Sequence, residues 1–389
     1  MKIRFVNRIT AFLIVFVISL ALLKLVDLGV RPFLAPSTLF PPDTAVVYKT
    51  LDLDAVASIN RFGFRGNETK LEEGQIIVIG DSFTFGFGSR DADVWPRLLE
   101  AKLASSEFNK KVYNLGVPGT DTLFHIEVAR IYVERLKPSV VILSILMSDD
   151  FQQVHESIIH DEQLRRTGIK VKAREWFPGI YGIYISMRNL AARRKQETNS
   201  GPVDVTKTWA SDAQRAISEN ALQIPKDVEL RAANGDINPG LFYLAAKYPT
   251  RSWSFWEKVD SNGSKEAAVF LDISKQLKDL SKEIKRYGGR LVIFAMPCGS
   301  FVKSKVSGNY VKYGFDIPSS NFSSNRPEIA LKRMSEDVQS EFVPTLQTFR
   351  SRGGDYFFEF DGHLNLSGNR LISEILATYL ISSIKHASR

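Results

Sequence analysis

The chain has 389 residues, of which 44% are hydrophobic and 24% charged, a composition ordinary for a folded domain large enough to bury a sizeable core. The formal charge of +8 suits anionic surroundings, but no zinc-finger, helix-turn-helix or RNP pattern accompanies it, so nucleic acid is not expected as a partner. Cys298 is the only cysteine, which excludes an intramolecular disulfide framework.

At the N-terminus, Lys2, Arg4 and Arg8 precede an apolar run from Ile9 to Leu23 that only Thr10 and Ser19 interrupt. With Lys24 as a snorkelling flank, the run extends to residue 30 and approaches the roughly 20 residues a bilayer core needs. No A-x-A cleavage pattern follows, so the sequence predicts an uncleaved anchor over residues 9–30, with residues 1–8 as a basic cytoplasmic tail. The remainder is then expected outside, in the periplasm or extracytoplasmic space of a bacterium, held at the inner membrane by one pass. Residues 31–70, with Arg31, Pro32, Pro36, Pro41 and Pro42, read as a stiff stalk and lead-in.

From Gln75 onward, short apolar runs alternate with amphipathic stretches over the expected main domain, residues 71–389, as in a parallel sheet flanked by helices. Strands are predicted at Ile76–Gly80, Val112–Leu115, Val140–Met147, Arg290–Met296 and Tyr356–Phe360. Helices are predicted at Val94–Leu103, Thr122–Leu136, Glu266–Tyr287, Glu328–Phe349 and Ser367–Ile384. Five strands with crossover helices predict a three-layer α/β/α sandwich with a flavodoxin-like parallel sheet. Between Phe151 and Ser264 the alternation is lost, and about 152–264 reads as an insertion with structure of its own near the site. The aromatic stretch Trp253 to Trp256 fits core packing better than a sugar cleft. Cys298, directly after an apolar strand, fits a buried structural thiol.

Ser82 follows the first of these strands in the run Gly80-Asp81-Ser82-Phe83-Thr84-Phe85-Gly86. Ligands of open α/β sheets bind at the carboxyl ends of strands, and a serine there can meet a helix N-terminus that favours developing negative charge. Asp81 suits turn support through local hydrogen bonds. After the second strand comes Asn114-Leu115-Gly116-Val117-Pro118-Gly119-Thr120, where Gly119 could lend an amide to an oxyanion hole. Phe360-Asp361-Gly362-His363-Leu364-Asn365 follows the last strand, and there Asp361 could orient His363 toward Ser82. A serine hydroxyl is a poor nucleophile until a base takes its proton, and a histidine base works best with a carboxylate fixing its tautomer. His125, His155 and His160 make no metal-ligand spacing, so neither metal nor other cofactor is expected.

The order of these blocks resembles the SGNH/GDSL hydrolase superfamily. GDSFTFG is similar to its nucleophile block, NLGVPG to its glycine block, LMSDDF to its third block and FDGHLN to its last. The matching stretches run from about Gln75 to Phe151 and from Leu291 to the C-terminus. Asn60-Arg61-Phe62-Gly63-Phe64-Arg65-Gly66 is similar to the lead-in of membrane-anchored bacterial members. The resemblance implies the SGNH hydrolase fold, Ser82 as nucleophile, His363 as base, Asp361 as orienting acid, and oxyanion donors at Ser82 and Gly119. In the third block the family usually has an asparagine where this chain has Asp149. A carboxylate there opposes an oxyanion unless it is protonated, turned away or replaced by another donor. The last block also has one residue, Gly362, between Asp and His where two are common.

The expected function is ester hydrolysis through an acyl-serine, removing O-acyl groups, acetyl foremost, from an extracytoplasmic glycan or small ester. O-acyl transfer onto a cell-envelope polysaccharide is the alternative, and an inert SGNH-like module is a third class.

Overall fold

The computed structural model describes residues 15–27, 38–106, 108–148, 150–154 and 201–387. The chain divides into two units, residues 1–37 with 157–200 and residues 38–156 with 201–389. In the first unit one helix is described, α1 over residues 15–27, where the Lys24 ammonium lies 3.6 Å from the Asp27 carboxylate one turn on. Residues 9–14 and 28–30 of the expected anchor lie outside the described residues, as does the basic tail. Among the described residues, no helix is long and apolar enough to cross a membrane.

The larger unit is built on five parallel strands: β3 (Ile76–Ile79), β4 (Val112–Asn114), β5 (Val140–Leu146), β7 (Arg290–Met296) and β8 (Glu341–Val343). Their order is β4-β3-β5-β7-β8, the flavodoxin-like order, with β5 and β7 in register from Val140 opposite Arg290 to Leu146 opposite Met296. Every residue of β3, β4 and β5 is buried, which is why they read as continuous apolar runs and not as alternating ones. One helical layer pairs α3 (Trp95–Ala104) with the C-terminal α13 (Leu366–Ala387). The other packs α4 (Thr122–Leu136) against α9 (Lys265–Arg286), which also meets α11 (Arg326–Asp337). The fold is the expected three-layer α/β sandwich.

The fifth strand is not the expected one. Tyr356–Phe360 forms no strand but a turn closed by one antiparallel bridge, Phe357 to Leu364, and the sheet ends instead on β8. That strand lies inside the stretch read as one helix, Glu328–Phe349, which divides into α11, β8 and α12 (Leu346–Arg352). Two local features force the division. Gln339 sits at φ 56°, and Pro344 has no amide to continue a helix past Phe342 and Val343.

The lead-in differs as well, because residues from 38 onward are folded and do not form a stalk. β1 (Thr44–Lys49) and β2 (Asp54–Ile59) make an antiparallel hairpin, and β6 (Val203–Asp204) adds to β1 in parallel. Alternate side chains, among them Val46, Tyr48, Ala55, Ala57 and Ile59, turn inward onto Phe85 and Trp209. In the stretch read as an insertion, the described part adds four helices: α5 (Trp209–Glu219), α6 (Lys226–Ala233), α7 (Pro239–Lys247) and α8 (Arg251–Lys258). Ala213, Ala216, Val228, Ala232, Ile237 and Phe242 make a small core there, closed by Tyr313 of α10 (Lys305–Tyr313). Phe255 and Trp256 are buried against Phe151, and the Trp256 indole donates to the Met147 carbonyl at 2.6 Å. Core packing accounts for both.

Candidate active site

Ser82 opens α2 (Ser82–Phe85), a single helical turn at the carboxyl end of β3. Asp81 is its N-cap, its carboxylate accepting from the Phe83 amide at 2.9 Å, so the acidic residue before the serine fixes the turn. The Asn114 amide donates to the Thr84 carbonyl at 2.9 Å and its oxygen accepts from Gly116 at 3.0 Å, which ties the glycine block to the serine's helix.

The lead-in motif supplies the rest of the support. Arg65 is buried under the turn, its guanidinium donating to the carbonyls of Phe85, Gly86 and Ser89 at 3.2, 2.6 and 2.5 Å. It also pairs with Asp91 at 3.1 Å and lies over the Phe85 ring. It adds a donor to the Phe85 carbonyl, which Asn114 also reaches, and to that of Gly86, which the Ser89 amide also reaches, and it serves the Ser89 carbonyl just beyond α2.

Asp361 and His363 come together in a tight loop, where Gly362 donates to the Phe358 carbonyl at 3.0 Å and Phe358 to that of His363 at 2.8 Å. Gly362 takes φ 91° and lies directly against Tyr310, so a side chain there meets both backbone strain and a clash. His363 Nδ1 is 2.5 Å from Asp361 Oδ1, and its Nε2 is 2.7 Å from Ser82 Oγ. The His363 ring is clasped by Phe83 and Phe87, each with its centroid 4.8 Å away.

Two residues that sequence reasoning missed hold the carboxylate side. Asn238, the N-cap of α7, accepts from Gly240 and donates its amide to the other Asp361 oxygen at 3.1 Å. Asn238-Pro239 is a helix-start signal, yet nothing local marks it as bound for a residue 123 positions away. Asp52, from the β1–β2 turn, accepts from the Phe360 amide at 2.8 Å. Burial, opposed by that amide and reinforced by the neighbouring Asp361 charge, pushes the Asp52 carboxyl up to about 6.

Ser82, Gly119 and His363 line one cavity of about 220 Å³, with Thr120, Ser148, Gln153 and Cys298 also in its wall. Gly119 holds φ 75°, which a side chain would strain. Thr120 donates to the Val117 carbonyl at 2.7 Å, so its oxygen is placed to accept from Nε2 of the buried His125 at 3.0 Å. Burial lowers the His125 pKa to about 3 and keeps its ring neutral; its Nδ1 faces Asp150 at 3.8 Å. Cys298 is buried, with its sulfur 3.1 Å from the Ser300 hydroxyl. Asp149, the third residue expected at the oxyanion site, lies outside the described residues.

The structure therefore joins Ser82, Asp361 and His363 in one hydrogen-bonded line and sets Gly119 in the same cavity. Such a line can pass a proton from a hydroxyl to a ring whose other nitrogen is held by a carboxylate.

No family model matches this chain, and no curated protein matches it. Among solved structures it is similar to TesA, at 9% identity and a TM-score of 0.37 over 79% of this chain and 97% of that one. It is also similar to the acetyl xylan esterase AlAXEase, at 10% identity and a TM-score of 0.34 over 78% and 98%. A catalytic mutant of Axe2, an acetylxylan esterase from Geobacillus stearothermophilus, matches at 11% identity and a TM-score of 0.36 over 80% and 95%. Scores this low carry no conclusion of their own, so the fold rests on the strand order and register above.

Proposed function

We propose that this protein is a serine ester hydrolase that removes an O-acyl group from an extracytoplasmic glycan or small ester through an acyl-serine intermediate. The observation that carries this reading is the pair of contacts on one imidazole, 2.7 Å to Ser82 Oγ and 2.5 Å to Asp361. In this reading, Ser82 Oγ attacks the ester carbonyl while His363 Nε2 takes the hydroxyl proton. The tetrahedral oxyanion faces the amides of Ser82 and Gly119. As the carbon–oxygen bond to the leaving group breaks, His363 returns the proton to the departing alcohol. Water, deprotonated by the same ring, then attacks the acyl-serine; the bond from the acyl carbon to Ser82 Oγ breaks, the ring returns the proton to Oγ, and the acid is released. Asp361 holds the ring in the tautomer that leaves Nε2 able to accept.

We also place the protein at the bacterial inner membrane, anchored by residues 9–30 with its site outside. This rests on the basic start and apolar run of the sequence.

The full chain in detergent micelles should hydrolyse p-nitrophenyl esters and take a fluorophosphonate label. Ser82→Ala should lower turnover on the order of a thousandfold or more and abolish the label. Unchanged turnover in that variant would reject the reading. Release of free acid marks hydrolysis, whereas acylated sugar in place of acid marks transfer.

A further inference from the structure

The cavity around Ser82 is not equally polar on all sides. Leu241 and Leu244 of α7, Tyr310 of α10, and Phe315 and Ile317 just beyond it line it together. All five are half-buried, and Leu241, Tyr310 and Phe315 are backed by the small core as they border the cavity. On α7, Phe242 goes into the small core and Leu241 packs against that core while also lining the cavity; Leu244, three residues on, lines the cavity beside it.

The polar side chains nearby do not offset this, because several already spend their hydrogen bonds inside the protein. Asn238 bonds Asp361 and Gly240, Thr120 bonds Val117 and His125, and Ser300 lies at hydrogen-bond distance from Cys298. The hydroxyls of a sugar need donors and acceptors wherever they are buried, and this side of the cavity presents mainly hydrocarbon instead. The wall is also fixed to the reacting groups, since Tyr310 packs on Gly362 between Asp361 and His363.

We infer that this wall is a subsite for a hydrocarbon group of the ester, an aliphatic or aryl group larger than acetyl, carried on either the acyl or the alcohol half. The inference rests on the hydrolase reading and narrows its substrate, an O-acylated glycan or small ester, to an ester with an apolar part.

The experiment is a chain-length series on the full protein in detergent, at ester concentrations below micelle formation. One arm runs p-nitrophenyl acetate, butanoate and hexanoate, and the other runs the acetates of methanol, butanol and hexanol. A buried methylene is worth up to about fourfold in kcat/KM, so at least one arm should rise on the order of tenfold or more from its shortest to its longest member. The rising arm tells which half of the ester the wall receives. Leu244→Asn should flatten that rise, cutting the longest ester more than the shortest. Flat or falling series in both arms, with Ser82 still labelled by fluorophosphonate and short esters still turned over, would overturn the inference and leave the hydrolase reading standing. No turnover and no label would remove both.

Discussion

The two halves of the site are held in different ways. Ser82 is supported mostly by its own neighbourhood: Asp81 caps its turn, Asn114 ties it to the next strand's loop, and Arg65 fastens it from just upstream. The Asp361–His363 loop leans on distant chain, with Asn238 on one carboxylate oxygen and Asp52 on the Phe360 amide. A nucleophile turn at a strand end can be built from local hydrogen bonds. A carboxylate in a buried loop needs donors from wherever the fold can bring them, because an unmatched buried charge is costly.

The comparison can be broken most forcefully at Arg65. Arg65→Met keeps an apolar stem but removes the guanidinium that donates to the Phe85, Gly86 and Ser89 carbonyls and pairs with Asp91. It should cost about 3 kcal/mol or more of stability, read as a lower urea midpoint at unchanged slope. A variant as stable as the parent would show that the lead-in is dispensable to the nucleophile turn.

The carboxylate half should respond in turnover more than in stability. Asn238→Leu removes one donor to a charged group, worth about 1.5 kcal/mol or more, so kcat should fall about tenfold or more with a smaller change in KM. Asn238→Ser, which can still cap α7, separates the capping role from the bond to Asp361 if its melting temperature is kept while kcat falls. Equal kcat in both variants and the parent would remove Asn238 from any part in placing Asp361.

The last effect, negligible at pH 7 and growing only on acidification, concerns the glycine block. His125 has a folded pKa of about 3 against an ordinary 6.5. Below pH 6.5 the unfolded chain therefore takes up a proton that the folded chain refuses, and stability falls as pH drops toward 3. The slope reaches up to about 1.4 kcal/mol per pH unit. Asp52, raised to about 6 from 3.8, works in the opposite sense between those values, since there the folded state holds the extra proton. His125→Gln should remove only the first slope. Urea unfolding of both proteins at pH 7, 6 and 5 isolates it by difference, and identical pH dependence would show that the ring is not buried as described.

Much of this was legible in advance, and the misses have identifiable causes. Buried parallel strands announce themselves as apolar runs, and four of the five were found within a residue or so of their observed ends. β8 was missed because it is only three residues long and follows an amphipathic helix without an intervening glycine, although Pro344 was a signal against one continuous helix. Tyr356–Phe360 was misread because a short aromatic run before a turn carries the same pattern whether or not a neighbouring strand is there to pair with it. The β1–β2 hairpin was hidden by the prolines before it.

The sequence by itself determined the sheet type, the helices that cross it and the blocks from which Ser82, Gly119, Asp361 and His363 come. Those are properties of local pattern, where hydrophobic period and turn chemistry are written residue by residue. Only the tertiary structure decided that His363 reaches Ser82 across 281 positions, that Asn238 completes the carboxylate's bonds, and that α7 lays an apolar wall beside them. Contacts between distant segments depend on how layers pack, and no local period encodes them.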